Sequence, residues 1–422
     1  MRRRGPTLGL LLLLAACDPG DVVLLAPDET STGAPSVSIH AVIDTPYVAV
    51  ATSLGWTAGV PNARVRVHWM EEPYDESYWR VATADSMGVA AFADLLYGLY
   101  EVEVTRLLTA SEMVQADSAL RLLAGGRRLW LPTPDAQDVT MAPDHRGSLV
   151  FSEISLAWPL PWEIPTTVAA KVKYFEVYNN SDTTIYLDGK YWGVGWDKVA
   201  DYGAAWPCAQ TEVVRNDPEG IWVQHVFRFP GRGTDYPLAP GNTALIAKAA
   251  IDHREVDPRL FDLRHADFEW GGPNPDVPNL EDIGLTPLWW FYPQPFNMPQ
   301  FLSEPVDLAT LPRYVDPHSG YAFVRIPGRL VLDAWSNPYD WTTQTLEVDS
   351  PACLENLHRS FERLPGPAAA LTDFDERLSR QRRVLTVLPD GRKVLQDTET
   401  SMADFVKAVR TPGWLPDSLP LN

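Results

Sequence analysis

Few residues in this sequence have the type and spacing that chemistry needs, and each admits a plainer reading beside the chemical one. Cys17 follows Leu14-Ala15-Ala16, a thiol placed directly after two small side chains. Of the three cysteines the other two are Cys208 and Cys353. They form either a disulfide, worth up to about 5 kcal/mol for so long a loop in an oxidising compartment, or two buried thiols. Their number and spacing make no metal site. Trp289, Trp290, Phe291 and Tyr292 stand in a row inside Pro287–Phe296, so in an extended strand two rings face each way. Such a platform stacks on sugar faces or anchors a protein partner; the plainer reading is that it packs a long loop onto its own domain. Glu176 and Asn179 hydrogen-bond backbone at a strand end and turn, or together hold a cation such as calcium, although no EF-hand-like ligand run accompanies them. The stretch from Asp252 and His253 to His265, Asp267 and Glu269 is rich in histidine and acids. It binds a divalent metal or, as is usual for such residues on loops, is simply solvated.

The patterns that carry most enzyme chemistry are missing. There is no G-x-S-x-G elbow, no H-E-x-x-H and no G-x-x-x-x-G-K phosphate cradle. Gly193-Val194-Gly195 and Gly231-Arg232-Gly233 lack the strand-to-helix context of a nucleotide site. Paired carboxylates abound in an acidic chain, so counting them selects no glycosidase pair. The expectation is a protein with no catalytic residues, no metal and no cofactor.

The elements around these residues begin with the N-terminus. Arg2, Arg3 and Arg4 precede an apolar run from Leu8 to Ala16 in which every residue except Gly9 is Leu or Ala. That run is about half the ~20 residues a spanning helix needs, so it reads as the core of a signal peptide over residues 1–16. Leu14-Ala15-Ala16-Cys17 resembles the lipobox of bacterial lipoproteins. The resemblance implies cleavage before Cys17 and attachment of two or three acyl chains, which at about 0.8 kcal/mol per buried methylene hold the protein on a membrane. Residues 17–35, rich in Pro, Gly, Ser and acids, read as a lipidated tether. Asp18 resembles an inner-membrane retention signal of enterobacteria, whereas in other phyla acidic residues there resemble surface-export signals. The expected location is the cell envelope, at the outer membrane over the inner.

The formal net charge is −20. Losing the three N-terminal arginines makes it −23 (−20 minus 3), which repels phosphate backbones and argues against a nucleic-acid partner. The short cluster Arg380, Arg382 and Arg383 reads as a solvated face. With 38 prolines, 27 glycines and few long amphipathic periods, the chain reads as all-β, in two β-sandwich domains.

The first domain is expected over residues 36–145. Val65, Val67 and Trp69 alternate with Arg64, Arg66 and His68, and Tyr100 to Val104 alternates again, the pattern of a half-buried antiparallel sheet. Glu112 to Leu123 reads as a short helix and Arg128 to Leu131 as a strand. The run from Val60 to Val104, with Thr83-Ala84-Asp85-Ser86-Met87-Gly88 as its turn, resembles carboxypeptidase-regulatory-like, prealbumin-type β-sandwiches, which serve mostly as spacers or adhesion units. Thr83-Ala84-Asp85 has one residue more than the usual T-D.

The second domain is expected over residues 146–412, with a proline- and aromatic-rich insertion at about 252–320 and a tail at 413–422. Tyr174, Glu176 and Tyr178 share one strand face, and Phe175 and Val177 the other. Phe151–Ile154, Phe175–Ser181, Leu187–Gly189 and Leu238–Gly241, in that order, resemble the lamin-tail domain, an immunoglobulin-like sandwich. Together with Val394–Phe405, they look more closely like an uncharacterised family of Bacteroidota-type envelope lipoproteins. That family usually has an Asn pair where this chain has Glu399 and Thr400, and its members are often encoded near TonB-dependent outer-membrane receptors.

The resulting expectation is a non-catalytic accessory or binding lipoprotein, working with an outer-membrane β-barrel receptor of the TonB-dependent type. The alternatives are a surface glycan-binding or adhesion module and, last, a glycoside or other hydrolase. Exposed, coplanar Trp289 and Trp290 favour glycan; a carboxylate of raised pKa lining a cleft favours an enzyme.

Overall fold

The structure is a computed structural model that describes residues 37–69, 72, 76–116, 120–132, 136–144, 148–155, 172–195, 220–283, 300–315, 322–335, 378–398 and 401–413. The expected signal segment, tether and lipidation site at Cys17, the pair Cys208 and Cys353, the aromatics Trp289 to Tyr292 and residues 414–422 lie outside the described residues. The fold is all-β, with strands in several sheets and few helices.

The first unit is a seven-stranded sheet built from β1 (Val37–Ile43), β2 (Arg64–Trp69), β3 (Arg80–Thr83), β4 (Val89–Phe92), β5 (Gly98–Leu107), β6 (Leu122–Leu131) and β7 (Gln137–Pro143). Their order is β3-β2-β5-β6-β7-β1-β4. Val65, Val67, Val102 and Val104 bury one face with Val37, Ile39 and Leu129. Asp85 closes the β3–β4 turn by accepting the N–H groups of Met87 and Val89, which holds its carboxyl below the usual range. Gly88 completes that turn at φ +83°, where a Cβ would lie 2.7 Å from the Val60 nitrogen. Of the helix expected over Glu112 to Leu123, α2 covers Ala110–Ala116 and Leu122 already begins β6; a separate α1 (Val48–Ser53) lies earlier.

The second unit contains β8 (Leu149–Ser155), β9 (Tyr174–Asn179), β10 (Ile185–Tyr186), β11 (Tyr191–Gly195), β12 (Gly220–Arg228), β13 (Pro237–Leu238), β14 (Thr243–Ala247) and β15 (Phe268–Glu269). It continues with β16 (Glu281–Asp282), β17 (Gln300–Ser303), β18 (Arg313–Val315), β19 (Ala322–Pro327), β20 (Val331–Trp335), β21 (Leu378–Arg382), β22 (Val384–Val387), β23 (Lys393–Leu395), α3 (Ser401–Asp404) and β24 (Phe405–Val409). One large sheet runs β15-β14-β9-β8-β21-β24 and the other β18-β19-β12-β11-β17-β20, with β16 beside β12. They share an aromatic core. The Trp192 ring lies 4.5 Å from Phe175, 5.0 Å from Phe227 and 4.9 Å from Trp270, centroid to centroid. Within 252–320, expected as a loop-rich insertion, β15, β16, β17 and β18 join the large sheets, and β17 lies inside the second, between β11 and β20.

The two units are joined through charge. Arg382 and Arg383 are consecutive and serve opposite sides of β21. Arg382 makes a fork to Asp333 at 2.6 and 2.8 Å and donates to the Phe151 and Gln396 carbonyls. Arg383 reaches across to Glu103 of β5 at 2.9 and 3.0 Å, and Arg66 of β2 grips the same carboxylate at 2.7 Å. The reading of Arg380, Arg382 and Arg383 as a solvated face is therefore corrected: all three are buried. The same contact buries the outer face of the first sheet, where Arg66, His68, Glu101 and Glu103 pair across β2 and β5. An alternating strand that looks half-buried is buried on both sides when a second unit covers its polar face.

A sealed carboxylate pair and an open candidate binding cleft

Glu153 and Glu176 sit side by side on β8 and β9, and Gln381 of β21 stands opposite Glu153. A bulge between Phe151 and Glu153 sets this register. Phe151, Phe175 and Val177 point into the shared core, so the glutamates occupy the other face of the sheet. Both are fully buried, beneath the chain that follows β24. Glu153 accepts from the Tyr174 hydroxyl at 2.6 Å, the Thr411 N–H at 3.0 Å and the Thr411 hydroxyl at 2.9 Å. Glu176 accepts the Gly413 N–H, and its Oε2 has no hydrogen-bond partner among the described residues. Gln381 adds bonds to the Thr411 hydroxyl and the Val409 carbonyl, and His265 bonds the Pro412 carbonyl. Gly413 is at φ +84°, with a hypothetical Cβ 2.8 Å from His265.

Burial drives the Glu176 carboxyl well above the usual carboxylate range, and the neighbouring charge of Glu153 adds to the shift; the Gly413 N–H opposes it. A carboxyl kept neutral is a general acid when a substrate can reach it. Here the C-terminal strap closes over it, and the acceptors hold the chain's own backbone. Lys173, one residue before β9, is also fully buried, and burial lowers its amine to about 7.

Asn179 is a turn clamp. Its Nδ2 donates to the Thr183 and Leu238 carbonyls and its Oδ1 accepts from Ser181. Among the described residues no group of three or more His, Cys, Asp or Glu is placed to hold a metal ion. The His- and acid-rich stretch is less solvated than expected. His253 is buried with its Nε2 3.0 Å from the Ala249 carbonyl, and buried Glu269 accepts from Ala250, Asn274 and Asn279. Asp252, Asp257 and Asp262 each receive a fork from the arginine two residues later, Arg254, Arg259 and Arg264. This D-x-R repeat at five-residue spacing staples the loop to itself.

The open concavity lies on the second large sheet, also on the face turned away from the shared core. It has a volume of about 660 Å³ and lies among Tyr191, Arg228, Ile283, the segment Pro305–Ala309 and Arg313. Tyr191 and Arg228 are cross-strand partners on β11 and β12. The Tyr191 hydroxyl donates to the Val306 carbonyl at 2.7 Å, pinning the segment that forms one wall. Asp307 caps the short 3-10 turn Leu308–Thr310 by accepting the Ala309 N–H with Oδ1. Arg228 donates from Nε and Nη2 to a single oxygen of Glu281. Arg313, at the start of β18, is exposed and has no ion pair or side-chain hydrogen bond among the described residues. Volume and lining, a mainly apolar floor with a few polar groups, suit a small ligand.

The structure thus brings together residues that the sequence had not grouped. Glu176 was singled out on its strand, but its pairing with Glu153 depends on the bulge. Arg228, Asp307 and Arg313 had no signal, because the cleft gathers them from separated segments. No protein-family model and no curated protein matches the chain. Among solved structures, a DUF4876 family protein from Bacteroides thetaiotaomicron is similar, with a TM-score of 0.46 at 18% identity, over 90% of this chain and 98% of that one.

Proposed function

We propose that this chain is a non-catalytic binding protein of the cell envelope, lipid-anchored through Cys17 and working as an accessory subunit of an outer-membrane transporter of the TonB-dependent type. The observation that carries the binding reading is the contrast between the two polar sites. The carboxyl whose chemistry burial has altered, that of Glu176, is closed under the chain and bonded to its backbone. The open cleft instead offers guanidinium and carboxylate groups around an apolar floor, with no Ser, Cys or His among the described residues that line it. That is equipment for recognition and not for nucleophilic attack. The Leu14-Ala15-Ala16-Cys17 sequence supports the anchor. The buried Arg383–Glu103–Arg66 linkage supports a rigid two-unit body able to present a fixed face to a membrane partner.

The test is crosslinking in the native envelope followed by purification of the tagged, lipidated protein and mass spectrometry. Stoichiometric recovery of an outer-membrane β-barrel is expected. Recovery without any barrel would remove the accessory reading. The cleft also favours a second reading, a surface glycan-binding module, because planar charged side chains around an apolar floor are what a sugar ring requires.

A further inference from the structure

We infer that the cleft on the second sheet binds a small hydroxylated monocarboxylate, of the sugar-acid class. The inference rests on the reading of this chain as a binding protein, but not on its having a transporter partner.

Arg313 is the first observation. In a chain of net charge −20, acids are plentiful, yet this guanidinium stands in the cleft with no ion pair among the described residues. Arg228 is the second. Its Nε and Nη2 converge on one oxygen of Glu281, which leaves Nη1 for a ligand. Two guanidinium groups with donors to spare match a carboxylate better than any neutral group.

The acids set the limits. Asp307 uses Oδ1 on the Ala309 N–H and keeps Oδ2 open, and Glu281 keeps Oε1 open. Two arginines against these two acids leave the rim formally neutral. A phosphate dianion would set its second charge against Asp307, whereas a monocarboxylate adds one charge and can turn hydroxyl donors toward the open oxygens. An acid with a purely hydrocarbon body would leave those oxygens without donors. The floor of Ile283, Val306 and Leu308 suits the C–H face of a sugar ring.

The experiment is calorimetric titration of the full lipidated chain, in detergent micelles, with methyl glucuronide, methyl glucoside and glucose 6-phosphate. The glucuronide is expected to bind saturably, with the glucoside and the phosphate at least tenfold weaker. Arg313→Gln should weaken the glucuronide by about ten- to a hundredfold, as expected for loss of a hydrogen bond to a charged group. Asp307→Asn keeps a good turn cap and should weaken the glucuronide less. Unchanged melting temperatures in both variants keep the result from being a folding defect. The inference fails if wild type does not bind the glucuronide, if the glucoside or the phosphate binds as well, or if Arg313→Gln leaves the affinity unchanged. Glucuronide binding without recovery of a barrel in the crosslinking experiment would remove the transporter partner and leave the cleft assignment standing; the reverse pair of results would do the opposite.

Discussion

The two large sheets of the second unit both carry charged side chains on the face turned away from their shared aromatic core, and the two faces are finished differently. On the first, the residues after β24 lie across Glu153 and Glu176 and donate backbone N–H groups and a threonine hydroxyl to them. On the second, the Pro305–Ala309 segment forms one wall and stops, leaving Arg228, Asp307 and Arg313 at an open cleft. Both faces carry ionisable side chains; what differs is the covering chain. Covered charges specify how the chain closes, and uncovered charges remain available to a ligand. The two regions should therefore respond oppositely to mutation: the sealed layer through stability, the cleft through binding.

The largest effect is expected from the most enclosed charge. Arg382→Ala would strip Asp333 of its bidentate partner and leave the Phe151 and Gln396 carbonyls without the guanidinium. Removing one member of a buried pair costs about 3–5 kcal/mol, so a clear fall in urea midpoint should follow. A loss below about 1 kcal/mol would mean that water already reaches this layer. Next comes Glu153→Ala, which takes an acceptor away from the part-buried Thr411 N–H and hydroxyl. About 1–3 kcal/mol is expected, with faster hydrogen exchange confined at first to residues 409–413. Exchange that rises uniformly across the unit would show that the strap has no stability of its own.

Some of this was legible in the sequence and some was not, for a definite reason. Period-2 alternation marked β2, β5 and β9, because side-chain direction in a strand is a local property. The face of Tyr174, Glu176 and Tyr178 opposite Phe175 and Val177 follows from the same rule. Burial of the polar faces is not local. Arg66 and Glu103 are covered by Arg383, about 300 positions downstream, and Glu176 by Gly413. Charged residues are mostly exposed, so Arg382 and Arg383 look solvated until their acids are found on other strands. The strand β17 stayed hidden inside a stretch whose prolines and aromatics resemble a loop, since four residues carry too little periodicity to stand out. The cleft is the least legible region, as its members meet only through the order of the strands.

A pH-dependent effect separates a sealed carboxyl from an open one. Burial raises the Glu176 carboxyl well above its ordinary 4.5, so the folded protein keeps this proton over a range where the unfolded chain has released it. The contribution of Glu176 to stability is complete below the unfolded value and declines as pH rises toward the folded one, by about 1.4 kcal/mol per unit inside that window. Glu176→Gln removes the proton and keeps the shape. Urea midpoints at pH 5 and pH 8 should show the variant gaining on wild type as pH rises. Lys173, lowered to about 7, titrates in both proteins and cancels in the difference. A constant gap between the two pH values would place Glu176 in contact with solvent, and the distinction between the two faces would lose its main support.

The smallest effect on stability belongs to the cleft. Arg313 is exposed and bonded to no side chain among the described residues, so Arg313→Gln should leave the urea midpoint within about 0.5 kcal/mol of wild type. In Asp307→Asn the amide oxygen can still accept the Ala309 N–H, so the 3-10 turn should persist with a similarly small change. If either substitution destabilised the protein as much as Glu153→Ala, these side chains would be holding the wall of the cleft together, and their open hydrogen-bonding positions would belong to the fold. Small changes in both would mean that the fold does not need these charges, which is the condition under which a ligand can use them.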